Sequence, residues 1–152
     1  MYGTPLSSIQ LDATASVPGT FTYSPAAGTV LHAGSGQPLT VTFNPTDSVD
    51  YAATTATVPI HVLKTTTTFT ALDSAVVTYG DPSVALSGQL AAGSFIPDGT
   101  IVVTLNGSTQ FAGIDATGHF TVIVSTAGLS ASTTPYAITY DYLGSQDFLP
   151  VT

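Results

Sequence analysis

The sequence predicts an all-β chain folded as two tandem antiparallel β-sandwiches, and three observations point there. Apolar residues recur with period two in short runs, the spacing that turns one face of a strand inward and the other outward, and no helical period lasts more than a few residues. Clusters of Gly, Pro, Asn and Asp separate those runs. One pattern also occurs twice. Tyr2-Gly3-Thr4-Pro5 returns as Tyr79-Gly80-Asp81-Pro82, Val41-Thr42-Phe43 as Ile138-Thr139-Tyr140, and Ser48-Val49-Asp50-Tyr51 as Ser145-Gln146-Asp147-Phe148. The first match is offset by 77 residues and the others by 97, so the second copy carries 20 more residues in its middle. Repetition at this scale marks a spacer or presentation array rather than a catalyst.

In the first copy, Ile9, Leu11, Ala13, Ala15 and Val17 alternate as one strand face, Pro18-Gly19 reads as a turn, and Phe21 and Tyr23 resume the alternation as a hairpin. Leu39, Val41 and Phe43 form the next stripe, closed by Asn44-Pro45, and Ala56, Val58, Ile60 and Val62 form the last. Pro59 has no N–H to give a ladder, so that last strand is expected at a sheet edge or with its donor side facing solvent. In the second copy, Val84 and Leu86 open a strand, Ile101, Val103 and Leu105 make the next, and Asn106-Gly107 is a type I′ hairpin signal. Phe120, Val122 and Val124 alternate with His119, Thr121 and Ile123. Tyr136, Ile138 and Tyr140 then line up ahead of a loop from Asp141 to Asp147. Val41, Phe43, Val58, Ile60, Phe120, Val122, Ile138 and Tyr140 are the expected core.

The repeat places the domains at 1–64 and 65–152. A Thr-rich stretch precedes the second Tyr-Gly, whereas Met1 alone precedes the first; beyond the Asp-aromatic pair the first copy runs on to Lys64 and the second has four residues. The first repeat is therefore expected to lack its first strand and the second its last, leaving open sheet edges through which copies associate. His61 to Phe69 contains neither Gly nor Pro, which predicts a stiff joint.

Composition narrows the function. Charged residues are only 7% of the chain, and β-branched residues abound, the reverse of the disorder signature. Nine Asp, no Glu and a single strong base, Lys64, give a formal charge of −8, which argues against nucleic acid and against an anionic membrane surface. Cysteine is absent, so disulfides, thiolate metal sites and cysteine nucleophiles are excluded. No apolar run of membrane-spanning length occurs, so no membrane insertion is expected.

With the strands placed, the chain resembles the immunoglobulin-like tandem repeats of large bacterial surface and secreted proteins. The residues that carry the resemblance are Tyr2-Gly-Thr-Pro-Leu-Ser, Ala15 to Tyr23, Pro25 to Leu31 and Val41 to Asp47 in the first copy. In the second they are Tyr79-Gly-Asp-Pro, Asp98-Gly-Thr, Gly118-His-Phe, Thr134 to Tyr140 and Asp147-Phe148. The resemblance implies a sandwich used as an extracellular stalk or adhesin repeat. Neighbouring repeats would be its partners, with no catalytic residues and no cofactor to transfer.

Candidate chemistry is sparse. His119 lies near Asp115, but no serine sits in a nucleophile elbow, so a solvent-facing strand histidine is the better reading for His119, with His61 on an outer face and His32 in a turn read the same way as non-catalytic. Asn44, Asp47 and Asp50, with Asp141 and Asp147 in the related loop, are candidate calcium ligands, because hard loop oxygens suit that ion. No EF-hand spacing is present, and Asp is also a turn former. Lys64 would suit an isopeptide crosslink only if buried beside an acid. Tyr51, Phe148, Tyr136 and Tyr140 read as a sugar-stacking platform or, more simply, as core and corner residues. A spacer and a loop-end adhesin site for carbohydrate or protein, with or without calcium, are the two functional expectations.

Overall fold

The computed structural model describes residues 1–152 as nine strands in three antiparallel sheets of three strands each. No helix is long and apolar enough to cross a membrane. The chain divides into two compact units, Met1–Lys64 and Thr65–Thr152.

The first unit holds one sheet: β1 (Gly19–Ser24), β2 (Gly34–Pro45) and β3 (Thr54–Val62), in the order β1-β2-β3. Phe21 lies opposite Phe43, Tyr23 opposite Val41, and Leu39 opposite Val58, so these residues share one face. Leu6 and Leu11 close on Leu39, with Tyr23, Leu31 and Ile60 packed alongside. These covering segments are tied by backbone bonds, Leu6 N to Thr29 O at 2.9 Å and Gly28 N to Leu6 O at 2.8 Å, and by the Ala13 amide donating to the Tyr23 hydroxyl at 2.9 Å. On the other face Thr40 bonds Thr57 and Thr42 bonds Thr55, a cross-strand hydroxyl ladder.

Three expectations fail here. Ile9 to Val17 is not a strand, and Ile9 is 81% exposed. Alternation alone does not make a strand, because its amides need a neighbouring ladder and none runs beside this stretch. Pro18-Gly19 is accordingly no hairpin turn. Gly19 is the first residue of β1, and a Cβ there would lie 2.5 Å from the Phe43 ring and from the Asn44 carbonyl oxygen. The glycine serves close approach rather than a turn. Val58, expected in the core, is 57% exposed: on β3 the cluster of Leu6, Leu11 and Leu39 takes in Ile60 but not Val58.

The edge assignment of β3 holds. Pro59 lies directly opposite Pro38, two residues without N–H groups facing each other. A pair that exchanges both ladder bonds needs donors, so this is a non-hydrogen-bonded position, and the nitrogen of Pro59 points away from the sheet.

The second unit holds two sheets, β4 (Thr68–Thr70), β5 (Ser83–Ala91) and β8 (His119–Ser125) in one, and β7 (Ser108–Gly113), β6 (Thr100–Leu105) and β9 (Ile138–Tyr142) in the other. Inner positions alternate as the sequence predicts. Leu86 and Leu90 of β5, Ile101, Val103 and Leu105 of β6, Phe120, Val122 and Val124 of β8, and Tyr140 and Tyr142 of β9 are all buried. The sheets meet face to face, with the Phe69, Phe120 and Tyr140 rings mutually 5.9–6.1 Å apart. The expected Asn106-Gly107 turn joins β6 to β7 with φ of 47° and 81°. β6 pairs β9 as β1 pairs β2, Val103 facing Tyr140 where Phe21 faces Phe43. The extra residues of the second copy therefore make β7 and β8, which have no strand counterparts between β1 and β2.

Candidate functional site

A concavity lies at one end of the second unit. Its floor begins with the repeated Tyr-Gly motif. Thr78-Tyr79-Gly80-Asp81 closes as a β-turn, Asp81 N donating to Thr78 O at 3.0 Å with φ of 101° at Gly80, a conformation that favours glycine. The first unit repeats this turn at Met1 to Thr4, with φ of 90° at Gly3. Behind the second turn, Thr126 N donates to Pro82 O at 3.1 Å and the Thr126 hydroxyl donates to Asp81 O, which join the turn to the end of β8.

The opposite wall is the connection from β8 to β9. The Tyr136 hydroxyl donates to Ser130 O at 3.0 Å and accepts from Ser130 N at 3.2 Å, so one side chain fastens a six-residue span just before β9. Between the walls is a cleft of about 400 Å³ lined by Val76, Tyr79, Val84, Leu129, Tyr136 and Ile138 among others. Tyr79 is 77% exposed and Val76 98% exposed at its mouth. The lining is mostly apolar side chains with hydroxyls and backbone, and its one carboxylate, Asp81, accepts from the Thr78 amide at 2.9 Å, so the surface suits a ring or an extended chain better than an anion.

Beside the cleft, β9 is an edge strand. On its outer side Tyr142 exchanges both ladder bonds with Val151, at 2.8 and 3.0 Å. Because ladder groups alternate, the amides and carbonyls of Tyr140 and Ile138 face the same way, and no strand lies beside them.

The residues singled out as calcium ligands are dispersed. Asn44 sits on β2 and is exposed. Asp47 closes a local turn, its Oδ1 accepting from Val49 N at 3.0 Å and Asp50 N at 3.2 Å, while Asp50 is exposed. Asp141 belongs to β9 rather than to a loop and accepts from the Thr152 hydroxyl at 2.7 Å; Asp147 is buried and its carbonyl accepts from Thr65 N at 2.8 Å. No group of three acidic or histidine side chains is placed to hold a metal ion.

Asp115 and His119 are neighbours without triad geometry. The Asp115 carboxylate accepts from the Thr117 hydroxyl and amide, both at 2.7 Å, and from the His119 amide at 3.0 Å. The Thr117 hydroxyl first, then its amide, hold this carboxyl below the ordinary aspartate range. It organises the turn into β8, and the His119 ring stays exposed. His61 is exposed on β3, and the His32 ring stacks on Tyr2, their centroids 6.1 Å apart. Lys64 is exposed, whereas an isopeptide crosslink requires a buried lysine. Tyr140 and Phe148 are buried, and Tyr51 is half exposed ahead of β3, so no aromatic platform assembles from this set. The cleft is not legible in sequence, where Tyr79 figures only as part of the repeated Tyr-Gly motif.

Comparison with family models, with characterised proteins and with solved structures finds no match to this chain.

Proposed function

We propose that the chain is a non-catalytic pair of immunoglobulin-like repeats that acts as a stalk or spacer in a large bacterial extracellular or cell-surface protein of the adhesin type. The observation that carries this reading is the Tyr136 fastening. A tyrosine at the entry to a late strand, its hydroxyl returned to backbone a few residues upstream, is the corner that immunoglobulin-like sandwiches place before their sixth strand. The strand order supports it. The chain enters β4 and β5 in one sheet, crosses to β6 and β7, returns for β8 and crosses again to β9, the Greek-key connectivity of such sandwiches.

The exposed Tyr79 at the cleft mouth favours one rival, a repeat that binds carbohydrate or protein at its loop end. A glycan array probed with and without calcium, together with thermal melts under both conditions, separates them. A spacer retains no glycan and melts at the same temperature in calcium and in chelator. Retention of a glycan that is lost on Tyr79→Ala, or a calcium-dependent rise in Tm, overturns the spacer reading in favour of the adhesin site.

A further inference from the structure

The chain has two asparagines, and the residue after each decides what its side chain can do. The amide nitrogen of the next residue can attack the asparagine Cγ and close a five-membered ring, provided that nitrogen has a proton to lose and no Cβ crowds the ring. Asn44 lies within β2 and precedes Pro45, which has no N–H. Asn106 precedes Gly107. These two make up the whole loop between β6 and β7, with φ of 47° and 81°, and both are exposed. Leu105 and Ser108 close the loop as a pair, so the Gly107 amide lies outside the ladder and donates to no carbonyl. The Asn106 side chain is likewise held by no hydrogen bond. A Cβ built on Gly107 would meet nothing within 4 Å, so the attacking nitrogen and the ring it forms have open space.

We propose that Asn106 is a self-modifying site of the folded chain, converted by solvent water to aspartyl and isoaspartyl forms at the tip of the β6-β7 hairpin. The Gly107 nitrogen gives its proton to hydroxide and bonds to Asn106 Cγ; the Cγ–Nδ2 bond breaks, ammonia leaves, and a succinimide remains. Water then opens the ring at one of its two carbonyls. Attack at Cγ breaks the new bond and leaves an ordinary aspartate at position 106. Attack at the backbone carbonyl breaks the original peptide bond instead, so the chain runs through the former side chain with one extra backbone carbon. Either product adds one negative charge to the −8 of the chain. Their effects on the fold differ. Asp-Gly suits a type I′ turn as Asn-Gly does, so the aspartyl form keeps the hairpin. The isoaspartyl form lengthens a loop that has no residue to spare, and β7, an edge strand paired only to β6, loses its register first at Leu105 and Ser108. The first unit has no strand matching β7 and no Asn-Gly, so the change is confined to the second. Asp98 also precedes a glycine, but ring closure there expels water rather than ammonia and adds no charge.

The test incubates the whole protein in neutral and in mildly alkaline buffer, reading charge by isoelectric focusing and position by peptide mapping with isoaspartate detection. The expected result is one added negative charge per chain, placed at residue 106 as a mixture of both forms, with Asn44 intact and a rate that rises in proportion to hydroxide. Asn106→Gly keeps a turn-forming pair, lacks the side-chain amide and acquires no charge. Urea below the unfolding transition leaves the rate unchanged, because opening a hairpin tip exposes little surface. Amide exchange at Ser108 quickens in the isoaspartyl fraction and not in the aspartyl one; equal exchange in both would refute the loss of register. Asn106 that stays intact in the folded protein while it converts in denaturant overturns the inference. So does a rate that climbs with urea in step with the globally unfolded fraction, or an equal gain of charge in the Asn106→Gly protein.

Discussion

The two units share a turn, a pair of strands and a register, yet only the second encloses a core between two sheets. In the first, β1 and β2 carry Phe21, Tyr23, Val41 and Phe43 on one face, and two irregular segments cover part of it through Leu6, Leu11 and Leu31. In the second, β5 and β8 stand where those segments run, and both layers become fully buried, Leu86 of β5 and Val124 of β8 on one side and Ile101 and Val103 of β6 on the other. The contact between Pro5 and Val30 is a single bridge, whereas β5 and β8 pair over seven residues. Pairing thus spreads from the same starting point in one unit and stops at once in the other. An apolar face is only as buried as the layer opposite it.

That contrast has consequences of graded size. The largest is at Phe120, which sits between the sheets: Phe120→Ala should cost about 3–5 kcal/mol, and Val58→Ala in the first unit under about 0.5 kcal/mol. Denaturant melts of both variants measure this, and equal losses would break the comparison. Next comes an alkaline limb confined to the second unit. Burial first, with Asp73 adding to it at Tyr140 and Asp98 adding to it at Tyr142, pushes both hydroxyls above the ordinary tyrosine range. An acid whose folded pKa is raised stabilises the fold below its unfolded pKa, about 10, and that stabilisation is lost as pH rises from there through the folded pKa. Melts between pH 8 and 12 should therefore show the second unit losing stability above about pH 10. Hydrogen exchange that shows the first unit yielding earlier over this range would contradict it.

Smaller effects sharpen the same comparison at single hydroxyls. Tyr136→Phe removes both bonds to Ser130 and should cost about 1 kcal/mol, much as Tyr23→Phe should by freeing the Ala13 amide. If Tyr136→Phe is neutral, the corner is decoration. The smallest effect has the opposite sign. The Tyr140 hydroxyl is buried with no hydrogen-bond partner, so Tyr140→Phe should be neutral or stabilising by up to about 1 kcal/mol. Thermal melting of that variant checks it, and a clear destabilisation would mean that the hydroxyl has a role in the fold.

The second unit was the more legible in sequence. Its strands have partners on both sides of the core, so period-two alternation at Phe120, Val122 and Val124 translates directly into burial, and Asn106-Gly107 has a conformation that few other residues adopt. Residues 9–17 carry the same alternation without a ladder to join, and alternation contains no information about partners. Gly19 shows a second limit. A glycine beside a proline suggests a turn, but a ring resting on the backbone demands glycine just as strictly. The cleft was invisible for a related reason: it is made by two loops far apart in sequence, and its exposed residues, Val76 and Tyr79, follow no periodicity.

The facing prolines of β2 and β3 bear on how such chains behave when crowded. Identical repeats held close together are the worst case for strands of one molecule annealing to those of the next. An edge running from Thr54 to Val62 with an apolar side at Ala56 and Val58 would be a ready template for that. Pro59 removes an outward donor near the middle of the edge, so an invading strand meets a gap in the row, and the ring leaves little room for it to settle. One imino acid thereby interrupts this particular edge, and exchanging Pro59 for a residue with an N–H restores an unbroken row of outward donors along β3.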